Sequence, residues 1–295
     1  MTKILLIRHA EAEGNIYRRI HGHYDSRVTP RGLRQIEKLA ERFAGVHIGA
    51  VYSSDLFRAR RTAEAFGLPV TTDARLREMN MGSWEDMPFG EVIKFDPEQA
   101  RNLDYDPWNL SVPGLEPFRA VGVRAEAAMR EIARANDGGT VAVVTHAMIT
   151  GAFFDNIGAS DNTAMVPNTS VSCLTFDGVR FALQSVGDAS HLPPELDTAM
   201  RRRINIARLG GVAKGNLRYV RTADYAWDAL LGDEIVGAVA VDISPNDGKG
   251  VISRLEIFPG YRGAGLGTQL FGQGLSVDSG QLIVDSYGGL DGGTV

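Results

Sequence analysis

The chain has 295 residues, of which 44% are hydrophobic, and its 36 acidic against 31 basic side chains leave a net charge of −5 at pH 7. The acidic balance argues against a nucleic-acid partner, the single cysteine excludes an intrachain disulfide framework, and no apolar run approaches the eighteen residues of a membrane span. The length is generous for one domain and suits two, and the short apolar run after Met1-Thr2-Lys3 reads as a strand rather than a signal peptide, so a soluble, cytoplasmic protein is expected.

The first element is the strand Ile4-Leu5-Leu6-Ile7, which exits into Arg8-His9-Ala10 and so places a guanidinium and an imidazole where α/β folds bind ligands. A second strand, Ala50-Val51-Tyr52, runs through Ser53-Ser54-Asp55 into a helix that carries Arg58 in its first turns. The segment Leu76 to Glu85 sets Glu78 in a glycine-containing loop, and Met81 to Phe118, rich in Pro, Asp and aromatics, reads as an irregular cap over the pocket that selects the substrate. From Phe118 to Ala135, apolar residues at three- and four-residue steps predict a core-facing helix, ended by Asp137-Gly138-Gly139. Val141-Ala142-Val143-Val144 repeats the opening design and exits at Thr145-His146-Ala147. Val171 to Phe176 is strand-like and buries the thiol of Cys173. Strands alternating with amphipathic helices predict an α/β fold, a three-layer, doubly wound and mostly parallel sheet with its site at the strands' carboxyl ends.

Two histidines and two arginines converging on one point suit a dianionic phosphoryl group, because the guanidinium fork matches phosphate oxygens. These pieces resemble the histidine phosphatase (phosphoglycerate mutase-like) superfamily over residues 2–192, with Ala10 in place of the family's glycine after the histidine and Gly114-Leu115-Glu116-Pro117 in place of Gly-Gly-Glu-Ser. The resemblance implies that His9 is the nucleophile and forms a phosphohistidine, with Arg8, Arg58 and His146 holding the phosphoryl oxygens. Arg8 and Arg58 disfavour the imidazolium form of His9. Glu78 is the carboxylate expected to protonate the leaving oxygen, with Glu85 and Asp86 as the neighbouring alternatives. Asn15, His21, Gly22 and His23 are expected at the substrate, the two histidines on the rim. No metal-ligand spacing is present, so no metal or cofactor is expected for this domain. A small-molecule phosphate ester is the expected substrate, and phosphatase is preferred to mutase because so short a domain leaves little room for the mutases' additional segments.

Pro193-Pro194 opens an expected linker, residues 193–202, after which a smaller α+β domain occupies residues 203–295. Trp227–Leu231 and Ile235–Val241 read as a hairpin, and a strand from Val251 to Phe258 leads into Arg262-Gly263-Ala264-Gly265-Leu266-Gly267. This stretch resembles the glycine-rich signature of the GNAT acetyltransferases, which implies acetyl-CoA or CoA at Arg262, Gly263, Gly265 and Gly267. The resemblance is abbreviated, because Leu217–Val220 meets the hairpin almost at once and the tail Gly288–Thr294 is too glycine-rich to pack a strand. Acetyl transfer is therefore not carried over. The basic run Arg201-Arg202-Arg203, with Arg208 and Lys214, reads as a solvated helix face. A phosphate and acyl-CoA sensor without catalysis is the alternative of another class, and a homodimer is compatible with either reading.

Overall fold

The computed structural model describes residues 1–159, 166–198, 217–243 and 250–275. The run Arg201–Arg203, Arg208, Lys214 and the tail Gly288–Thr294 lie outside the described residues. By contacts the chain forms two compact units, one of Met1–Glu13, His21–Glu85 and Arg101–Arg201, the other of Gly14–Ile20, Asp86–Ala100 and Arg202–Val295.

The first unit is built on a six-stranded sheet of order β3-β2-β4-β1-β5-β6. Its strands are β1 (Thr2–Arg8), β2 (Ala50–Ser53), β3 (Val70–Thr72), β4 (Thr140–Thr145), β5 (Val171–Phe176) and β6 (Phe181–Asp188). The pairs β1/β4, β2/β4 and β2/β3 are parallel, while β5 and β6 add antiparallel beside β1. β1 is apolar at consecutive positions because both its faces are buried. Leu5 and Ile7 pack with Leu39 of α2 (Pro30–Phe43) and with Ala59 and Ala63 of α3 (Phe57–Ala63), with Cys173 half-buried at the edge of that cluster. Ile4 and Leu6 point to the other face by strand alternation, the side on which α6 (Phe118–Ala135) packs against β1 and α7 (Ala147–Asn156). The α6 stripe buries Val121, Ala125, Ala128, Met129 and Ile132, as its periodicity predicts. At the head of α2, Thr29 Oγ1 accepts the Gly32 N–H at 2.9 Å and Pro30 takes the first helical position.

The region from Met81 to Phe118 is more regular than expected, for it contains α4 (Phe89–Phe95) and α5 (Pro97–Tyr105). Each is two turns or so and bounded by a proline, too short for periodicity to betray it.

The second unit holds an antiparallel sheet of order β10-β9-β8-β7, from β7 (Arg218–Ala223), β8 (Ala226–Leu231), β9 (Glu234–Ile243) and β10 (Gly250–Ile257). Helix α8 (Leu266–Leu275) packs on β9 and β10, and Leu266 and Leu270 close a core with Leu217, Leu231, Val236 and Ile257. Two residues, Asp224 and Tyr225, join β7 to β8, so no helices intervene there. The segments Gly14–Ile20 and Asp86–Ala100 group with this sheet: Tyr17 of α1 (Glu13–Tyr17) lies 6.2 Å, ring to ring, from Phe271, and the Glu91 carboxylate accepts the Tyr219 N–H at 2.6 Å. No helix among the described residues is long and apolar enough to cross a membrane.

Candidate active site

The pocket sits at the carboxyl ends of β1 and β4. Arg8 and Thr145 are the last paired residues of the two strands, and the His9 N–H donates to Thr145 O at 2.8 Å, so His9 and His146 leave the sheet side by side with ring centroids 5.1 Å apart. His9 Nδ1–H donates to Ala10 O at 2.7 Å, which fixes the ring and leaves Nε2 with its lone pair free. The Ala10 N–H donates to Thr62 Oγ1 at 2.8 Å, and that hydroxyl donates to Arg58 O at 2.7 Å, tying the histidine loop to α3. Ala10 keeps a negative φ, so the family's glycine is not needed there.

Arg58 is fully buried and reaches into the loop after His21, donating from Nη2 to Gly22 O at 2.8 Å and from Nη1 to Tyr24 O at 2.9 Å. Gly22 stands at φ +67°, and a Cβ on it would lie 2.9 Å from the backbone N of Met81, so a side chain there is both strained and crowded. Glu85 in turn accepts the N–H groups of His23 and Tyr24, each at 2.7 Å, and fixes this loop. His21 lies beside His9: its ring centroid is 6.1 Å from that of His9, edge-on, and Nε2 is hydrogen-bonded to Ser26 Oγ at 2.7 Å. His23 lies farther out and donates from Nε2 to Glu78 O at 3.0 Å. Asn15 is on α1 and groups with the second unit.

Several polar atoms in the pocket are buried without a partner, namely Nε of Arg8, Nε of Arg58 and both ring nitrogens of His146. Each such atom costs free energy unless a ligand meets it. Burial, then Arg58 and Arg8, push the His9 pKa well below its ordinary value, and burial with Arg58 does the same to His146 and His21. At neutral pH all three imidazoles are therefore uncharged. Burial lowers Arg8 to about 10, opposed by Glu78 and helped by Arg58, so it stays cationic.

Glu78, 8% exposed, does something its sequence gave no sign of. Oε2 accepts the N–H groups of Ala147 and Met148 at 3.1 and 3.2 Å, and Oε1 those of Met79 and Ile149, both at 3.0 Å. It thus caps α7, whose own preceding residue, His146, supplies no side-chain cap. Sequence reasoning also missed Thr62 and the turn Pro167–Ser170, although Pro-Asn ahead of a strand is a turn signal. Val166, just before that turn, accepts Arg8 Nη1 on its carbonyl at 2.6 Å. Among the described residues no group of three His, Cys, Asp or Glu side chains is placed to hold a metal ion.

Residues 4–189 match the family model of the histidine phosphatase superfamily, branch 1. The chain belongs to this superfamily. Phosphoglycerate mutase-like protein 4 of Arabidopsis thaliana is 32% identical over 200 residues, covering 65% of this chain and 87% of that relative. The probable phosphoglycerate mutase GpmB of Salmonella choleraesuis is 29% identical over 215 residues, covering 68% of this chain and all of the relative. Among solved structures, Bacillus stearothermophilus YhfR superposes with a TM-score of 0.62 at 30% identity, over 65% of this chain and 99% of its own. The histidine phosphatase part is thus of the phosphatase or mutase type. Residues 194–276 match the GNAT acetyltransferase family model. In that GNAT part, Gly263 and Gly265 adopt φ +76° and +81° in the loop that opens α8, and Arg262 Nε donates to Ile257 O at 2.8 Å.

Proposed function

We propose that the histidine phosphatase part is a metal-independent phosphomonoesterase acting through a phosphohistidine on His9. The observation that carries this reading is the His9 ring itself, held by its Nδ1–H on Ala10 O with Nε2 free beside buried, unpartnered atoms of His146, Arg8 and Arg58. Nε2 attacks phosphorus in line, the ester P–O bond breaks, and the leaving oxygen takes a proton from Glu78. Water then attacks the phosphohistidine, its proton passes to Glu78, the P–N bond breaks and phosphate departs from neutral His9. Arg8, Arg58 and His146 hold the equatorial oxygens as charge develops. His21, Gly22 and His23 are assigned to the substrate side of this site.

Glu78 has a second duty that the reaction must accommodate. All four of its acceptor positions are taken by N–H groups, so handing over a proton requires it to give up part of the α7 cap. Phosphoryl transfer of the mutase kind is the second reading, favoured by the names of the curated relatives. For the GNAT part we propose CoA or acetyl-CoA binding at Arg262, Gly263, Gly265 and Gly267, the two positive-φ glycines turning backbone N–H groups toward a pyrophosphate.

The test is phosphate release from p-nitrophenyl phosphate and a panel of phosphomonoesters in EDTA. Turnover that persists in EDTA and falls at least about a thousandfold in His9→Ala supports the phosphatase. Isomerisation of a phosphorylated hydroxy acid without net phosphate release supports the mutase instead.

A further inference from the structure

His9 is gripped from behind by a segment to which the reaction assigns no part. Pro167–Ser170 is a turn closed by the Ser170 N–H on Pro167 O at 3.1 Å. Asn168 has a negative φ and Thr169 a φ of +55°, the pattern of a type II turn, whose third position favours glycine. A β-branched residue there is strained, and Thr169 is also fully buried. Asn168 Nδ2 donates to His9 O at 2.9 Å, and the Thr169 N–H donates to Arg8 O at 3.0 Å and, more weakly, to His9 O at 3.4 Å.

The strain has a geometric reason. In the relaxed type I turn the peptide between the two central residues is flipped, which would turn the Thr169 N–H away and bring the Asn168 carbonyl toward the carbonyls of Arg8 and His9. The bonds from Asn168 and Thr169 fix the peptide plane between His9 and Ala10. That plane leads to Ala10 O, the acceptor that holds His9 Nδ1–H at 2.7 Å.

We propose that Asn168 and Thr169 are positioning residues that lock His9 in the Nδ1–H tautomer with Nε2 aimed at phosphorus, an inference that rests on the phosphohistidine reading. A turn that merely joined β5 to the sheet would affect stability but not the ring.

The experiment pairs long-range ¹H–¹⁵N NMR of the His9 ring in the full chain with kinetics of Asn168→Asp and Asn168→Ser, which remove or weaken the donor. The expected result is a single Nδ1–H tautomer in the wild-type protein and a mixture in the variants. With it comes a fall in kcat on the order of ten- to a hundredfold, at nearly constant KM. Folded variants that keep both the tautomer and kcat overturn the proposal. Where a variant shows no cooperative melt, the wild-type spectrum decides, because a mixed tautomer there also overturns it. Absence of any His9-dependent turnover in the wild-type protein would instead sink the phosphatase reading, while the tautomer still reports on the grip.

Discussion

The pocket around His9 and the glycine loop at the head of α8 both look made for an anion, yet they differ in what their polar atoms do. In the first, Arg8, Arg58 and His146 carry buried nitrogens with no partner; in the second, Arg262 is exposed and its Nε is already held by Ile257 O. Burial is what turns a missing partner into a demand for a ligand, since an exposed group finds water and a buried one does not. The glycine loop offers geometry without that demand, and its ligand is correspondingly less constrained.

Experiments that strike the first region should have the larger effects. Arg58→Ala is expected to lower kcat/KM about a hundred- to a thousandfold, and also to lower the melting temperature, because Gly22 O and Tyr24 O lose their donors. A loss confined to stability would mean that Arg58 only braces the loop. Acidification comes next. His9, His21 and His146 have folded-state pKa values well below the ordinary 6.5, so the unfolded chain binds more protons than the folded one. The stability they contribute is fully present above pH 6.5 and drains away as pH falls below it. All six histidines precede residue 192, so melting followed at Trp84 and Trp108 should show this decline and melting followed at Trp227 should not. Parallel declines at all three would erase the contrast.

Glu78→Gln should slow esters with poor leaving groups more than p-nitrophenyl phosphate, and cost about 1 kcal/mol as the α7 cap weakens. Equal losses on both substrates would leave Glu78 the cap and take away the acid. The smallest effect is expected in the second region, where calorimetric titration with CoA should show binding that Arg262→Ala weakens severalfold without touching phosphate release. No heat with CoA would leave the loop a turn and nothing more.

Legibility in the sequence followed the same divide. The strands at β1, β2 and β4 and the helix from Phe118 to Ala135 were readable because doubly buried strands are uniformly apolar and a long amphipathic helix repeats its pattern several times. Arg8, His9, Arg58 and His146 could be brought to one place because each stands at, or a few residues after, the end of such a strand. The path of the loop that carries His21 is not legible, because it depends on Arg58 and Glu85, contacts with no local signature. The capping of α7 by Glu78 was invisible for the same reason: residues some seventy positions apart meet only through the fold. That β5 runs antiparallel to β1 is equally absent from its own residues, since a buried apolar strand reads alike in either direction.

One consequence of the sheet concerns how the chain tolerates change. His9 and His146 each stand one residue beyond the pair Arg8↔Thr145, so strand register sets their spacing along the sheet. Inserting or deleting a single residue within β1 or β4 would slide one histidine about 3.3 Å past the other and turn alternate side chains to the wrong face. Indels should therefore be silent in many of the connections and ruinous in these two short strands, although neither contains a catalytic side chain before its final residue.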